Sequence, residues 1–197
     1  MVEKYKIYLE KRFTELSESI IRSSNKIQQA SNICTEVIAN DKTIFFCGNG
    51  GSYSQALHLA AELTGRFKRT RPSLPSICLG SNGASMTCIG NDFDFNDIFS
   101  REIEALGRKG DLLVCLTTSG QSKNVVNAAK AAQNYGITII LLVGNENSPC
   151  ERYADLTISL GNLSTAQIQE GHLLIGHEIC SAIDELTISL HQDKSVF

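Results

Sequence analysis

His58 and Glu62 stand four residues apart in Gln55-Ala56-Leu57-His58-Leu59-Ala60-Ala61-Glu62, just after the glycine-rich run Cys47-Gly48-Asn49-Gly50-Gly51-Ser52. On a helix that spacing puts an imidazole and a carboxylate on one face, one turn apart. The preceding glycines allow backbone to approach a polar ligand closely. Such a pair beside a ligand-wrapping turn suits proton transfer or metal binding. Gln169 and His177 lie eight apart, close to two full turns and so on one side of a second helix. His172 falls on a different side, and a lone histidine in an apolar helix reads first as a structural core residue. Should the two helices meet, His58, Glu62, Gln169 and His177 supply two imidazoles, a carboxylate and an amide oxygen. That set suits a borderline divalent ion such as zinc, although glutamine is an uncommon ligand.

Three further stretches can hold a ligand. Gly48-Asn49-Gly50-Gly51-Ser52 is neither G-x-G-x-x-G nor a lysine-bearing phosphate loop, so on its own it reads as a ligand turn or simply a tight one. Thr117-Thr118-Ser119-Gly120-Gln121-Ser122 places four hydroxyls ahead of a helix starting near Asn124. Hydroxyls and free helix-terminal amides can satisfy a phosphate monoester without a cation, or the same residues can merely cap the helix. Gly90-Asn91-Asp92-Phe93 is read as a third loop, whose Asn and Asp either shape a turn or hydrogen-bond sugar hydroxyls.

The elements that must position these residues follow from periodicity. Residues from about 3 to 39 are helical in pattern, with a break at Ser23-Ser24-Asn25. Thr43–Cys47, Ser76–Leu79, Leu112–Leu116, Ile137–Val143 and Leu156–Leu160 read as strands that lack polar alternation, hence buried on both faces. Helical stretches separate them, which predicts right-handed β-α-β units and a parallel sheet covered on both sides. Ligands bind such sheets at the carboxyl ends of the strands, where the loops lie. A final apolar-faced stretch from about Thr165 to His191 reads as one long helix. The whole chain, 1–197, reads as a single α/β domain whose first 40 or so residues are helices suited to covering a subunit interface.

With 197 residues, 42% of them hydrophobic, the chain can bury a substantial core without a second domain. A net charge of -3 and no long basic run argue against nucleic acid as a partner, despite the local cluster Arg66, Lys68, Arg69 and Arg71. The N-terminus lacks the apolar core of a signal peptide, and no apolar run approaches the roughly 20 residues of a spanning helix, so a cytoplasmic protein without membrane partners is expected. Seven scattered cysteines without a C-x-x-C pair read as reduced and mostly buried thiols.

In chain order, Cys47-Gly48-Asn49-Gly50-Gly51-Ser52, His58-x-x-x-Glu62-Leu63-Thr64-Gly65-Arg66, Gly90-Asn91-Asp92-Phe93, Phe95-Asn96-Asp97-Ile98-Phe99-Ser100-Arg101, Thr118-Ser119-Gly120-x-Ser122 and Ile168-Gln169-Glu170 through to His177 cover nearly the whole sequence. Together they resemble the phosphoheptose isomerase family. The resemblance implies a sugar isomerase (SIS) fold, that is, a three-layer α/β/α sandwich on a five-stranded, mostly parallel sheet preceded by N-terminal helices. It also implies a homotetramer, and conversion of D-sedoheptulose 7-phosphate to D-glycero-D-manno-heptose 7-phosphate on the way to ADP-heptose and lipopolysaccharide core. By the same resemblance Asn49, Gly50, Gly51 and Ser52 line the substrate, as do Asn91 and Asp92. Thr118, Ser119 and Ser122 hold its phosphate with Thr117 beside them, and one zinc ion per subunit sits on His58, Glu62, Gln169 and His177. Glu62 and Gln169 also touch substrate. The chain departs from the pattern at Ala166, where some members carry aspartate, and at Thr117, where serine is common.

Ketose–aldose interconversion needs a base for the proton α to the carbonyl, a stabiliser for the enediol, and an acid to serve the two oxygens. Glu62 is the candidate base and His177 the candidate acid. An imidazole nitrogen bound to zinc cannot also donate a proton, so either the two roles use different nitrogens or states, or one assignment is wrong. The alternative class is a non-catalytic SIS-fold binding protein of the replication-initiator-associating type, which has no need of the full His58, Glu62, Gln169 and His177 set.

Overall fold

The computed structural model describes residues 2–194; Met1 and residues 195–197 lie outside the described part. Two helices lead, α1 (Val2–Arg22) and α2 (Ser24–Ala39), followed by β1 (Ile44–Gly48), α3 (Gly51–Thr64), β2 (Ser76–Cys78), α4 (Gly83–Asp92) and α5 (Ser100–Leu106). The chain continues through β3 (Leu112–Thr117), α6 (Lys123–Asn134), β4 (Thr138–Val143), β5 (Leu156–Ser159) and the long α7 (Thr165–Lys194). The break between α1 and α2 falls at Ser23, as the sequence predicts. It is fixed from outside the helix: Ser19 and Ser23 hydroxyls donate to the carbonyls of Leu160 and Ser159 at the end of β5 (2.6 and 3.3 Å).

The five strands pair in the order β2-β1-β3-β4-β5, every pairing parallel. Side chains alternate between two buried faces. Ile44, Phe46, Val114 and Leu142 pack with Leu59, Leu63 and Ile175 on one side. Phe45, Cys47, Leu113 and Leu141 pack with Phe99, Ile103 and Ala128 on the other. Residues on both faces are fully covered, which explains why the strands show no polar alternation in sequence. The result is the expected three-layer sandwich.

One detail differs from the sequence reading. Gly90, Asn91 and Asp92 form the last turn of α4, not a loop; Asn82 caps that helix by accepting from Ala84 and Ser85 backbone N–H groups, so its ten residues outlast the expected short irregular stretch. The cysteines are all free and six are buried, but Cys88 is exposed, its thiol 3.4 Å from an Asp92 carboxylate oxygen. Among the described residues, no helix is long and apolar enough to cross a membrane.

His172 is the buried residue its helix position suggested, with no exposed surface. Neither ring nitrogen makes a well-formed hydrogen bond. Burial pushes its pKa down to about 4, opposed only in part by the backbone of Val143. The unfolded chain therefore takes up a proton near the ordinary 6.5 while the folded chain resists until about 4. His172 thus favours folding fully above pH 6.5 and loses that contribution as pH falls towards 4. Urea melts between these limits will show wild type losing on the order of 3 kcal/mol more than His172→Leu; equal losses would contradict the assignment.

Candidate active site

The site is built where α3 crosses the sheet beside α7. Leu59 lies against Gly176 so closely that a Cβ there would come within 2.5 Å of its methyl groups. At the loop end of the same seam, Gly51 admits the Gln169 carboxamide, which a Cβ would meet at 2.5 Å. Gln55 donates from Nε2 to the Gln169 carbonyl at 2.5 Å. With two helices this close, side chains one turn apart on α3 meet those on α7. His58 Nε2 lies 3.0 Å from His177 Nε2 and 3.4 Å from Glu62 Oε1. The three groups that the sequence singled out are therefore side by side, half-open to solvent: 44% of the His58 side chain and 21% of that of Glu62 are exposed.

His177 has its pKa held below the ordinary imidazole value, by burial first, then by His58 and Lys68, with Glu62 acting in the opposite sense. A neutral imidazole is the form that can accept a proton or bind a cation. Among the described residues, no group of three or more His, Cys, Asp or Glu is arranged as it stands to hold a metal ion. His58, Glu62 and His177 nevertheless present two imidazole nitrogens and a carboxylate oxygen within reach of one another. Gln169 stands at the loop end of the seam, against Gly51.

The two glycine- and hydroxyl-rich loops follow adjacent strands, β1 and β3, which pair at this end through Gly48 and Leu116. They are joined by a reciprocal amide pair: Asn49 Nδ2 donates to Asn124 Oδ1 (2.8 Å) and Asn124 Nδ2 donates to Asn49 Oδ1 (2.9 Å). Asn49 thus spends its side chain on the first turn of α6. Ser52 is buried against Gly48. Thr117 is also buried, its hydroxyl accepting from the Gly120 N–H at 3.1 Å. Gly120 has φ +65° and lies on Ser148, where a Cβ would come within 2.2 Å, so only glycine permits this turn. Of the four hydroxyls, Thr118 is half-buried, Ser119 is exposed and accepts from Gln121 N–H, and Ser122, at the N-cap of α6, makes no capping bond. Asn91 and Asp92 are exposed and bonded to each other at 2.8 Å. That amide, then the Cys88 thiol, holds the Asp92 carboxyl below its usual range. Among the described residues, no hydrogen bond ties them to the other candidates.

Asn124 escaped the sequence reading, which took it only as a helix start. Its partner lies 75 residues away, and no periodicity announces such a pair. Gln55 was likewise passed over, though its position one turn before His58 marks the same helix face.

The SIS domain family matches residues 7–144, ending before α7. The phosphoheptose isomerase of Sulfurimonas denitrificans is 40% identical over 178 residues, 89% of this chain and 91% of that protein. Solved structures of phosphoheptose isomerases from Neisseria gonorrhoeae and Francisella tularensis superpose with TM-scores of 0.85 and 0.88 at 34% and 31% identity. Each comparison covers 93% of this chain and 98% of the other. Fold, site geometry and these likenesses agree that the chain belongs to the phosphoheptose isomerase family of SIS-domain proteins.

Proposed function

We propose that the protein is an aldose–ketose isomerase converting D-sedoheptulose 7-phosphate to D-glycero-D-manno-heptose 7-phosphate through an enediol, the step that opens ADP-heptose and lipopolysaccharide core synthesis. The observation that carries this reading is the meeting of Glu62, His58 and His177 on the α3–α7 seam, within 3.4 Å of one another in sequence His177–His58–Glu62, beside two loops suited to a sugar phosphate. The hydroxyls of Thr118, Ser119 and Ser122 and the first amides of α6 receive the phosphate. The backbone of Asn49, Gly50 and Gly51 lines the sugar chain with Gln169, and Asn91 and Asp92 offer hydrogen bonds to its hydroxyls.

Glu62 takes the proton from C1 of the ketose, exchanges it with solvent, and delivers a proton to C2. The electron pair released at C1 forms the C1–C2 double bond of the enediol while the C2 carbonyl oxygen gains a proton; return of a proton to C2 goes with loss of the O1 proton and formation of the C1 aldehyde. His177 serves the oxygens. Zinc is the ion we propose for this set: ligand atoms sharing one tetrahedral ion lie about 3.3 Å apart, close to the His58–His177 and His58–Glu62 separations of 3.0 and 3.4 Å, and Gln169 is the fourth candidate. When bound, zinc would contribute Lewis-acid polarisation of substrate oxygens. The exposed Tyr5, Tyr8, Phe13 and Ile21 of α1 support self-association, which we take to be a homotetramer, and we place the protein in the cytoplasm.

Incubation of sedoheptulose 7-phosphate with the purified protein, followed by NMR, will show an aldose phosphate; its absence with folded, zinc-supplied protein would favour the non-catalytic binding role. Prior chelation will lower turnover and added zinc will restore it, whereas an unchanged rate would remove the metal from the account. His177→Ala will impair turnover far more than His172→Ala, by at least about a hundredfold against wild type, and the reverse order would mean the wrong histidine was chosen. Asn124→Ala, which frees the two loops from each other, will raise KM about tenfold; a KM unchanged from wild type would show that the amide pair does not set the loops.

A further inference from the structure

Beyond α3 the chain turns back through residues 65–71, and α7 holds this turn by one buried carboxylate. Asp184, 2% exposed, accepts from the backbone N–H groups of Lys68 and Arg69 at 3.0 and 3.2 Å through one oxygen. Its other oxygen accepts from Arg71 Nε at 2.7 Å. Arg71 then donates to the carbonyls of Leu63 and Glu62 at 2.9 and 2.7 Å, satisfying the end of α3. The ion pair is 3% exposed on both sides and fully engaged in hydrogen bonds, the condition under which a buried pair is held in a single geometry. It ties the end of α3, the turn and α7 into one rigid unit.

The residue presented by that unit is Phe67. Its ring stacks on the imidazole of His177, centroids 5.3 Å apart and planes 26° from parallel. Lys68 Nζ lies 5.0 Å from the Phe67 ring centroid and donates to Ser181 Oγ, one turn further along α7, at 2.8 Å. His58 meets the same imidazole edge-on, at 70°. The His177 ring is thus defined by two contacts of different kinds: a stack that fixes its plane and an edge contact that locates Nε2. An imidazole that must serve substrate oxygens needs its plane fixed, because a rotation misdirects the nitrogen without moving the helix.

We propose that Phe67 is a positioning residue for His177, its ring holding the imidazole plane in the orientation that turnover requires. The proposal rests on the isomerase reading for its kinetic consequence only. Phe67→Leu keeps apolar bulk and removes the ring; Phe67→Tyr keeps the ring. Phe67→Leu will lower kcat about tenfold with KM within about twofold, and Phe67→Tyr will return kcat to within about twofold of wild type, the three proteins melting alike. In NMR spectra of the full chain, the His177 ring protons will move downfield in Phe67→Leu, as the ring current of the stacked phenyl is lost, and stay in place in Phe67→Tyr. A wild-type kcat in Phe67→Leu, or unchanged His177 resonances, would overturn the proposal. An inactive wild type would overturn the isomerase reading alone, since the resonances decide the stack independently of turnover.

Discussion

The close approach of α3 and α7 is the constraint on which the site depends. Two helices normally stand 8–10 Å apart according to the side chains between them. Here Gly176 lets Leu59 in against the α7 backbone, and Gly51 does the same for Gln169. The contacts run in the same order on both helices, from Gly51 with Gln169 through His58 with His177 to Arg71 beyond α3 with Asp184. A residue's height on α3 therefore decides what it meets on α7. A larger side chain at position 176 would separate the helices and part the imidazoles, leaving the sheet beneath intact.

The sheet supplies the other half of the arrangement. Parallel pairing of β1 with β3 brings two loops from distant sequence to one edge, and the Asn49–Asn124 amide pair fixes their spacing. Buried amides gain only when every donor and acceptor is satisfied, and the reciprocal pair meets much of that demand within itself. Several polar groups near the ligand surface are committed to architecture in the same way. Thr117 closes its own turn and Ser52 packs beneath Gly48, while Ser119 stands exposed and Thr118 and Ser122 half-buried. The family resemblance grouped all of these residues together; the structure separates those that shape the loops from those that face outward.

Much of the fold was legible because its signals are local. The apolar runs of β1, β3 and β4 lack alternation because both faces are covered, and the break at Ser23 carries its own small polar residues. His58 and Glu62 were legible through helical spacing, whereas their meeting with His177, 3.0 Å from His58, was not. The turn at Gly90-Asn91-Asp92 was misread because Asn and Asp favour turns, whereas the Asn82 cap and the residues after it keep α4 helical to Asp92. What stayed hidden is long-range and side-chain specific: Asn124 with Asn49, Phe67 with His177, Arg71 with Asp184. In sequence Arg71 is one of four neighbouring cations and looks solvated, yet it is the one that is buried and paired. Composition cannot separate it from Arg66, Lys68 and Arg69, because the carboxylate that selects it lies 113 residues away.

In the proposed reaction the α3–α7 seam delivers the Glu62 carboxylate to the carbon next to the substrate carbonyl. The most direct measurement is solvent deuterium incorporation into the substrate–product pair in D2O, comparing wild type with Glu62→Gln of equal thermal stability. Wild type will carry deuterium at C2 of the aldose phosphate it forms, and Glu62→Gln will give neither product nor exchange. Deuterium entering at the wild-type rate in Glu62→Gln would contradict this role of Glu62, since the proton would then be moved by another group.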